Sequence, residues 1–255
     1  MLHMQKVTVN DLAALPAPEV LGPRHCPLPH YQFTRVIDNS LADHGLEVVH
    51  RDIEISHGGN RIFGTYRLQA PPEIRSQSDA VAGGGLTPMI GFKNSLDQVF
   101  RGRVALAGQV FNCSNGCWFM EAGFEVKRKN TTKILTSLAE LMQNMVRDYW
   151  DKFIQVIAKT QELSQERLHD REAHHLICQA TRKGITAHAH AGRVLDAWHD
   201  APFDWGPKSL WRLHNDFTYV LDREVDNPYV RSQRNLGLNA LINDHRTVTS
   251  HTATN

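Results

Sequence analysis

Three stretches hold residue types that core-building alone does not call for: Gly91-Phe-Lys-Asn-Ser-Leu-Asp97, Gly108-Gln-Val-Phe-Asn-Cys-Ser-Asn-Gly116 and Lys127-Arg-Lys-Asn-Thr-Thr132. Lys127, Arg128 and Lys129 lie just before an expected helix start at Thr131 or Thr132. A helix N-terminus carries partial positive charge and disfavours cations by about 0.3–1 kcal/mol, so helix stability does not select them. Free backbone amides beside three cations suit an anion, and a nucleic-acid phosphate is one such occupant. A solvated charged turn is the plainer alternative. Lys93, Arg101, Arg103 and Lys133 lie on neighbouring segments and extend the cations into one expected track. Asn94, Ser95 and Asp97 follow a short apolar strand, where their side chains can bond turn backbone or meet a ligand.

Bases of single strands stack on exposed rings while cations follow the backbone. Phe92, Phe100, Phe111, Trp118, Phe119 and Phe124 are interleaved with the basic residues, and most are expected in the core. Trp118, Met120, Ala122, Phe124 and Val126 share one face of an expected strand. Phe119 points the other way and is the candidate exposed ring. The expected nucleic-acid contacts are therefore Lys93, Asn94, Arg101, Arg103, Phe119, Lys127, Arg128, Lys129 and Lys133.

The order of these motifs resembles the phage and plasmid family catalogued as domain of unknown function 932. Its core reads approximately Arg-Asn-Ser-His-Asp-Gly-Ser, then Cys-Ser-Asn-Gly, then a basic run opening a helix. The resemblance implies a phage or mobile-element protein acting in a bacterial host cell. This chain departs from the pattern at Leu96, where His is usual, and at Gln98-Val99, where Gly-Ser is usual.

Other chemistries lack their residues. Fifteen histidines include His174-His175, His188-Ala-His190 and His199. His188 and His190 point to different sides of a helix, and no carboxylate completes a familiar zinc pattern. Cys113 and Cys117 lack Cys-x-x-Cys spacing and a clear second pair, and Cys26 and Cys178 are scattered. No metal site, no cofactor and no catalytic residues are expected, since phosphate-binding loops, nucleophile elbows and dinucleotide fingerprints are missing.

Behind these residues stands an ordinary globular composition: 255 residues, 41% hydrophobic, enough to bury one sizeable core in one extended domain. No apolar run approaches the roughly 20 residues of a membrane span, and Met1 to Leu15 does not read as a leader, so a cytoplasmic protein without membrane contact is expected. The net charge of +1 is uneven: residues 91–133 carry seven Lys and Arg against three Asp and Glu, a local balance of +4.

The spacing predicts a helix over Pro29 to His44, with Phe33, Val36, Ile37 and Leu41 on one face and Gly45 ending it. Strands Leu46 to Ile55 and Arg61 to Gln69 flank a hairpin turn at His57-Gly-Gly-Asn60. Ala70 to Thr87 reads as a mobile loop. A second hairpin joins Val104–Cys113 to Cys117–Lys127 through Ser114-Asn115-Gly116. One long helix then carries an apolar stripe from Ile134 to Ile157, and helices follow over Asp170–Arg182, His188–His199 and Pro207–Glu224. Trp198, Trp205 and Trp211 read as packing residues.

The predicted class is α+β: an antiparallel sheet of two hairpins packed on a long helix, followed by a helical C-terminal half. The domain reading is an N-terminal arm (1–28), a core (29–165), a helical extension (166–245) and a frayed tail (246–255). This element order is similar to single-strand annealing proteins of phages. The function expected is non-enzymatic nucleic-acid binding, with single-stranded DNA annealing or recombination as the process and a homo-oligomer as the assembly. A host-protein-binding anti-defence factor is the second reading, and a metal-dependent hydrolase built from Asp97 and histidines the third.

Overall fold

The computed structural model describes residues 4–22, 26–81, 85–110, 116–117, 125–128 and 134–252. In chain order the elements are β1 (Gln5–Lys6), α1 (Val9–Ala13), α2 (His30–Asp43), β2 (Val48–Ser56), β3 (Arg61–Leu68), α3 (Pro72–Asp79), β4 (Leu86–Ser95), β5 (Gly102–Val110), β6 (Gly116–Cys117), β7 (Glu125–Arg128), α4 (Ile134–Arg147), α5 (Tyr149–Gln165), α6 (Asp170–Arg182), α7 (His188–His199), α8 (Leu210–Glu224) and α9 (Pro228–Thr252). The class is α+β, with the C-terminal half helical as the apolar periodicity predicts. Strand order is β1-β2-β3-β4-β5-β6, with β7 also paired to β5. Among the described residues, no helix is long and apolar enough to cross a membrane.

The chain divides into two compact units. Unit 1 comprises 1–71, 87–107 and 120–153, and unit 2 comprises 72–86, 108–119 and 154–255.

Unit 1 is built on antiparallel ladders of β1 with β2, β2 with β3, β3 with β4, and β5 with β7. Helix α2 buries Phe33, Ile37 and Leu41, one helical turn apart. It ends at Gly45, whose φ of 67° lets Leu46 N–H reach back to Leu41 O at 2.9 Å. The β2–β3 turn also places His57, Gly58 and Gly59 at positive φ. On β3, Ile62, Gly64, Tyr66 and Leu68 are buried while the alternate residues are half-buried, the period-two pattern of a sheet with one core face.

Gly64 lies opposite Phe92 of β4. The Phe92 ring lies over it, with its centroid 4.9 Å from Tyr66 and 6.2 Å from Phe33. A Cβ on Gly64 would stand 2.2 Å from Phe92 Cζ. Gly64→Ala therefore displaces a fully buried ring, and urea unfolding should show a loss of about 1–3 kcal/mol; a neutral result would mean the ring moves without cost.

Four elements depart from the periodicity. The expected loop at Ala70–Thr87 contains α3, opened by Pro72 at its first turn. Ser78 Oγ donates to Leu86 O and accepts from Leu86 N–H at 3.2 Å, closing the excursion. The expected single long helix is two, α4 and α5, parted at Asp148, although its apolar stripe continues through Leu138, Met142, Met145, Tyr149 and Phe153, all buried. Helix α8 starts after Ser209, whose hydroxyl accepts from Arg212 N–H, rather than at Pro207. Helix α9 runs to Thr252, through the stretch expected to fray.

In the expected second hairpin, β6 pairs Cys117 with Gly108 and β7 pairs Glu125 with Ala105, while residues 111–115 and 118–124 lie outside the described residues.

In unit 2, Trp198, Trp205 and Trp211 are fully buried, as packing residues should be. Asp216 of α8, five positions after Trp211, has no solvent exposure. Neither of its carboxyl oxygens has a hydrogen-bond partner. Burial pushes this carboxyl up to about 8, against the attraction of Arg212 one turn away. Arg212 itself donates to Trp198 O at 2.8 Å, leaving its Nε without a partner.

Candidate nucleic-acid interface

The basic segment enters the sheet on β4 and leaves it on β7. Lys93 and Asn94, adjacent on β4, point to opposite faces. Asn94 is fully buried, donating to Leu28 O at 2.8 Å and lying 3.2 Å from His30 Nδ1. His30 Nε2 reaches Gly59 O at 2.9 Å. Since a carbonyl only accepts, Nε2 carries the proton and Nδ1 accepts from Asn94. Burial holds His30 down at about 4, so it stays neutral in this chain of bonds. Asn94 is therefore an internal brace between the N-terminal segment and the hairpin turn, and its expected role as a nucleic-acid contact is corrected. Lys93 is likewise 7% exposed, with Nζ 5.3 Å from the Phe100 ring centre. It is not part of an open surface track.

Beyond β4, Ser95 and Asp97 tie the strand end to the hairpin. Arg61 Nε donates to Asp97 Oδ2 at 2.7 Å, and Ser95 Oγ donates to Asp97 Oδ1. Val99 N–H reaches Ser95 Oγ at 3.1 Å. Arg61 Nη1 also meets His57 Nε2 at 3.0 Å, and His57 Nδ1 lies 3.1 Å from Ser56 Oγ. Arginine only donates, so His57 Nε2 accepts and its Nδ1–H faces the Ser56 hydroxyl. In that tautomer the imidazole cannot take the hydroxyl proton, and the pair is not a nucleophile and base. His57 and Gln98, at φ 54° and 61°, hold left-handed conformations that non-glycine residues seldom adopt. The Asn94-to-Asp97 motif is thus a latch, and turn-making accounts for its residue types.

Burial disfavours ionised Asp97, but bonds from Ser95, Arg61 and the Val99 amide outweigh it and leave the carboxyl below its ordinary value. A depressed folded value contributes stability above the unfolded value, near pH 4, that is lost as pH falls through the folded one. Asp97→Asn should abolish this acid-side loss, cost about 1–3 kcal/mol at neutral pH and speed exchange of the Val99 amide. Unchanged exchange would show that the latch does not hold the loop.

The remaining cations gather where β5 meets β7. Arg103 is directly opposite Lys127, and Gly102 opposite Arg128. Directly opposed residues of an antiparallel pair project from the same face with Cβ atoms about 4.5–5.5 Å apart. Arg101 is exposed just before β5, and Arg103 is half-buried on it. Phe119, Lys129, Lys133 and the turn at Asn115 lie outside the described residues, as do the side chains of Lys127 and Arg128. The structure therefore brings Arg103, Lys127 and Arg128 onto paired strands, leaves Arg101 beside them, and removes Lys93 and Asn94 to the interior.

Ser56, His57 and Arg61 were missing from the sequence-based set, since the His57-Gly-Gly-Asn60 spacing reads only as a turn. Among the described residues no group of three or more His, Cys, Asp or Glu side chains is placed to hold a metal ion. No protein-family model, curated protein or solved structure matches this chain.

Proposed function

We propose that the protein binds nucleic-acid strands through their phosphates, using the basic edge formed by β5 and β7, and that it does so without an enzymatic step. The observation that carries this reading is the direct opposition of Arg103 and Lys127 on an antiparallel pair. Cationic residues at directly opposed positions offer a phosphate charge-assisted donors from both strands of the ladder. Arg128, opposite Gly102, and Arg101, just before β5, continue the cationic run toward one end of this ladder. Contacts confined to phosphates do not read sequence and leave base edges free to pair. Annealing of complementary single strands is thus the process in which we place the protein.

The test is fluorescence anisotropy with labelled single-stranded and duplex DNA over a salt series, with light scattering on the same sample. The expected result is affinity that falls linearly in logarithm as salt rises, with single strands favoured. Absence of binding at low salt overturns the proposal and makes an acidic protein partner the reading to pursue.

A further inference from the structure

Helices α6 and α7 of unit 2 bring together two histidines that are 25 positions apart: His174 Nε2 lies 3.1 Å from His199 Nε2. Their rings meet edge to face, with centroids 5.3 Å apart and planes at 70°. Two facing imidazole nitrogens at this distance share one proton or share one ion. A metal at the usual distance of about 2.0–2.1 Å from each of two nitrogens 3.1 Å apart subtends an angle of about 95–100°, between octahedral and tetrahedral values. His199 is exposed and His174 half-buried, so small side-chain rotations close the rings on an ion while water fills its other positions.

Asp170, one turn before His174 on α6, accepts from Trp198 Nε1 at 2.9 Å and is paired with Lys208, and its carboxylate interacts electrostatically with His199. Since Lys208 already balances that carboxylate, the two imidazoles themselves carry the site. His175 is turned to Gln179, whose side-chain amide lies 2.8 Å from His175 Nε2.

We propose that His174 and His199 form a two-imidazole site for a divalent transition ion of the zinc, nickel or copper class. Such ions prefer imidazole nitrogen, whereas magnesium and calcium prefer oxygen. This inference is independent of the nucleic-acid reading.

The test is calorimetric titration of the full chain with Ni²⁺ and with Zn²⁺, comparing native protein with His174→Ala, His199→Ala, His175→Ala and Cys178→Ser. Cys178 belongs among the controls because it is an exposed free thiol one turn beyond His174. The expected result is one equivalent of ion whose affinity falls at least about tenfold in either His174→Ala or His199→Ala and is kept in the two controls. Ten equivalents of ion should also raise the melting temperature of the native chain and not of those two variants. Affinity unchanged in His174→Ala and His199→Ala would overturn the proposal, and so would its loss in Cys178→Ser or His175→Ala. Circular dichroism of each variant confirms that the fold is intact, as replacement of surface side chains should leave it.

Discussion

Asp216→Asn should leave unit 2 almost unchanged near pH 4 and make it several kcal/mol more stable than the native chain near pH 8. The unfolded carboxyl ionises near its ordinary 3.8, whereas the buried one keeps its proton up to about 8. Between those values the unfolded state has released a proton that the folded state still holds, so rising pH favours unfolding. Below the lower value both states are protonated, and above the upper one both are ionised, so the loss is confined to that window. The interval of about four pH units corresponds to about 5 kcal/mol at most. Local opening or water entry lowers that ceiling.

The amide replacement removes the ionisation and retains the shape. At low pH it exchanges one neutral, unpartnered polar group for another, hence the small effect there. Urea unfolding followed by tryptophan emission reads the right unit, because Trp198, Trp205 and Trp211 are all buried in unit 2. The difference between the two proteins at each pH cancels every other titrating group. Parallel pH profiles would show that Asp216 finds a partner or solvent after all.

What the sequence discloses and what it hides follow from the range of the interactions. Helices α6 and α7 begin and end where apolar spacing and terminal residues place them, since those signals are local. The turn at His57–Asn60 is equally local, with two glycines supplying positive φ. Helix α3 escaped because Ile74 is its only buried apolar residue, too little to make a period. The parting of α4 from α5 at Asp148 escaped for the opposite reason, as the apolar stripe crosses it without interruption.

Strand β4 misled by a different route. Every residue from Pro88 to Ser95 is buried, so neither face of the strand is marked by alternation. Lys93 and Asn94 then read as surface residues when both are interior. The latch at Asp97 depends on Arg61, 36 positions away, and the histidine pair on contact between two helices. Spacing rules that span one or two turns carry no information about either. Closeness along the hairpin does carry through at one place, since the paired strands set Arg103 opposite Lys127 and Gly102 opposite Arg128.

If that basic edge binds phosphates, Arg103→Ala with Lys127→Ala should flatten the salt dependence of single-strand binding as well as weaken it. Each phosphate contact contributes about 0.7 to the slope of log affinity against log salt for single strands, so losing two lowers it by about 1.4. Arg103→Ala alone should remove about half of that change. The two residues occupy directly opposed positions, so their effects should also couple: whichever remains still meets the phosphate, at reduced strength. Lys93→Ala supplies the contrast. Its ammonium lies over Phe100 and is nearly buried, so the substitution should cost stability and leave the slope unchanged. A double variant that binds less tightly with an unaltered slope would mean that the loss came from the sheet rather than from phosphate contacts, and would take the interface away from β5 and β7.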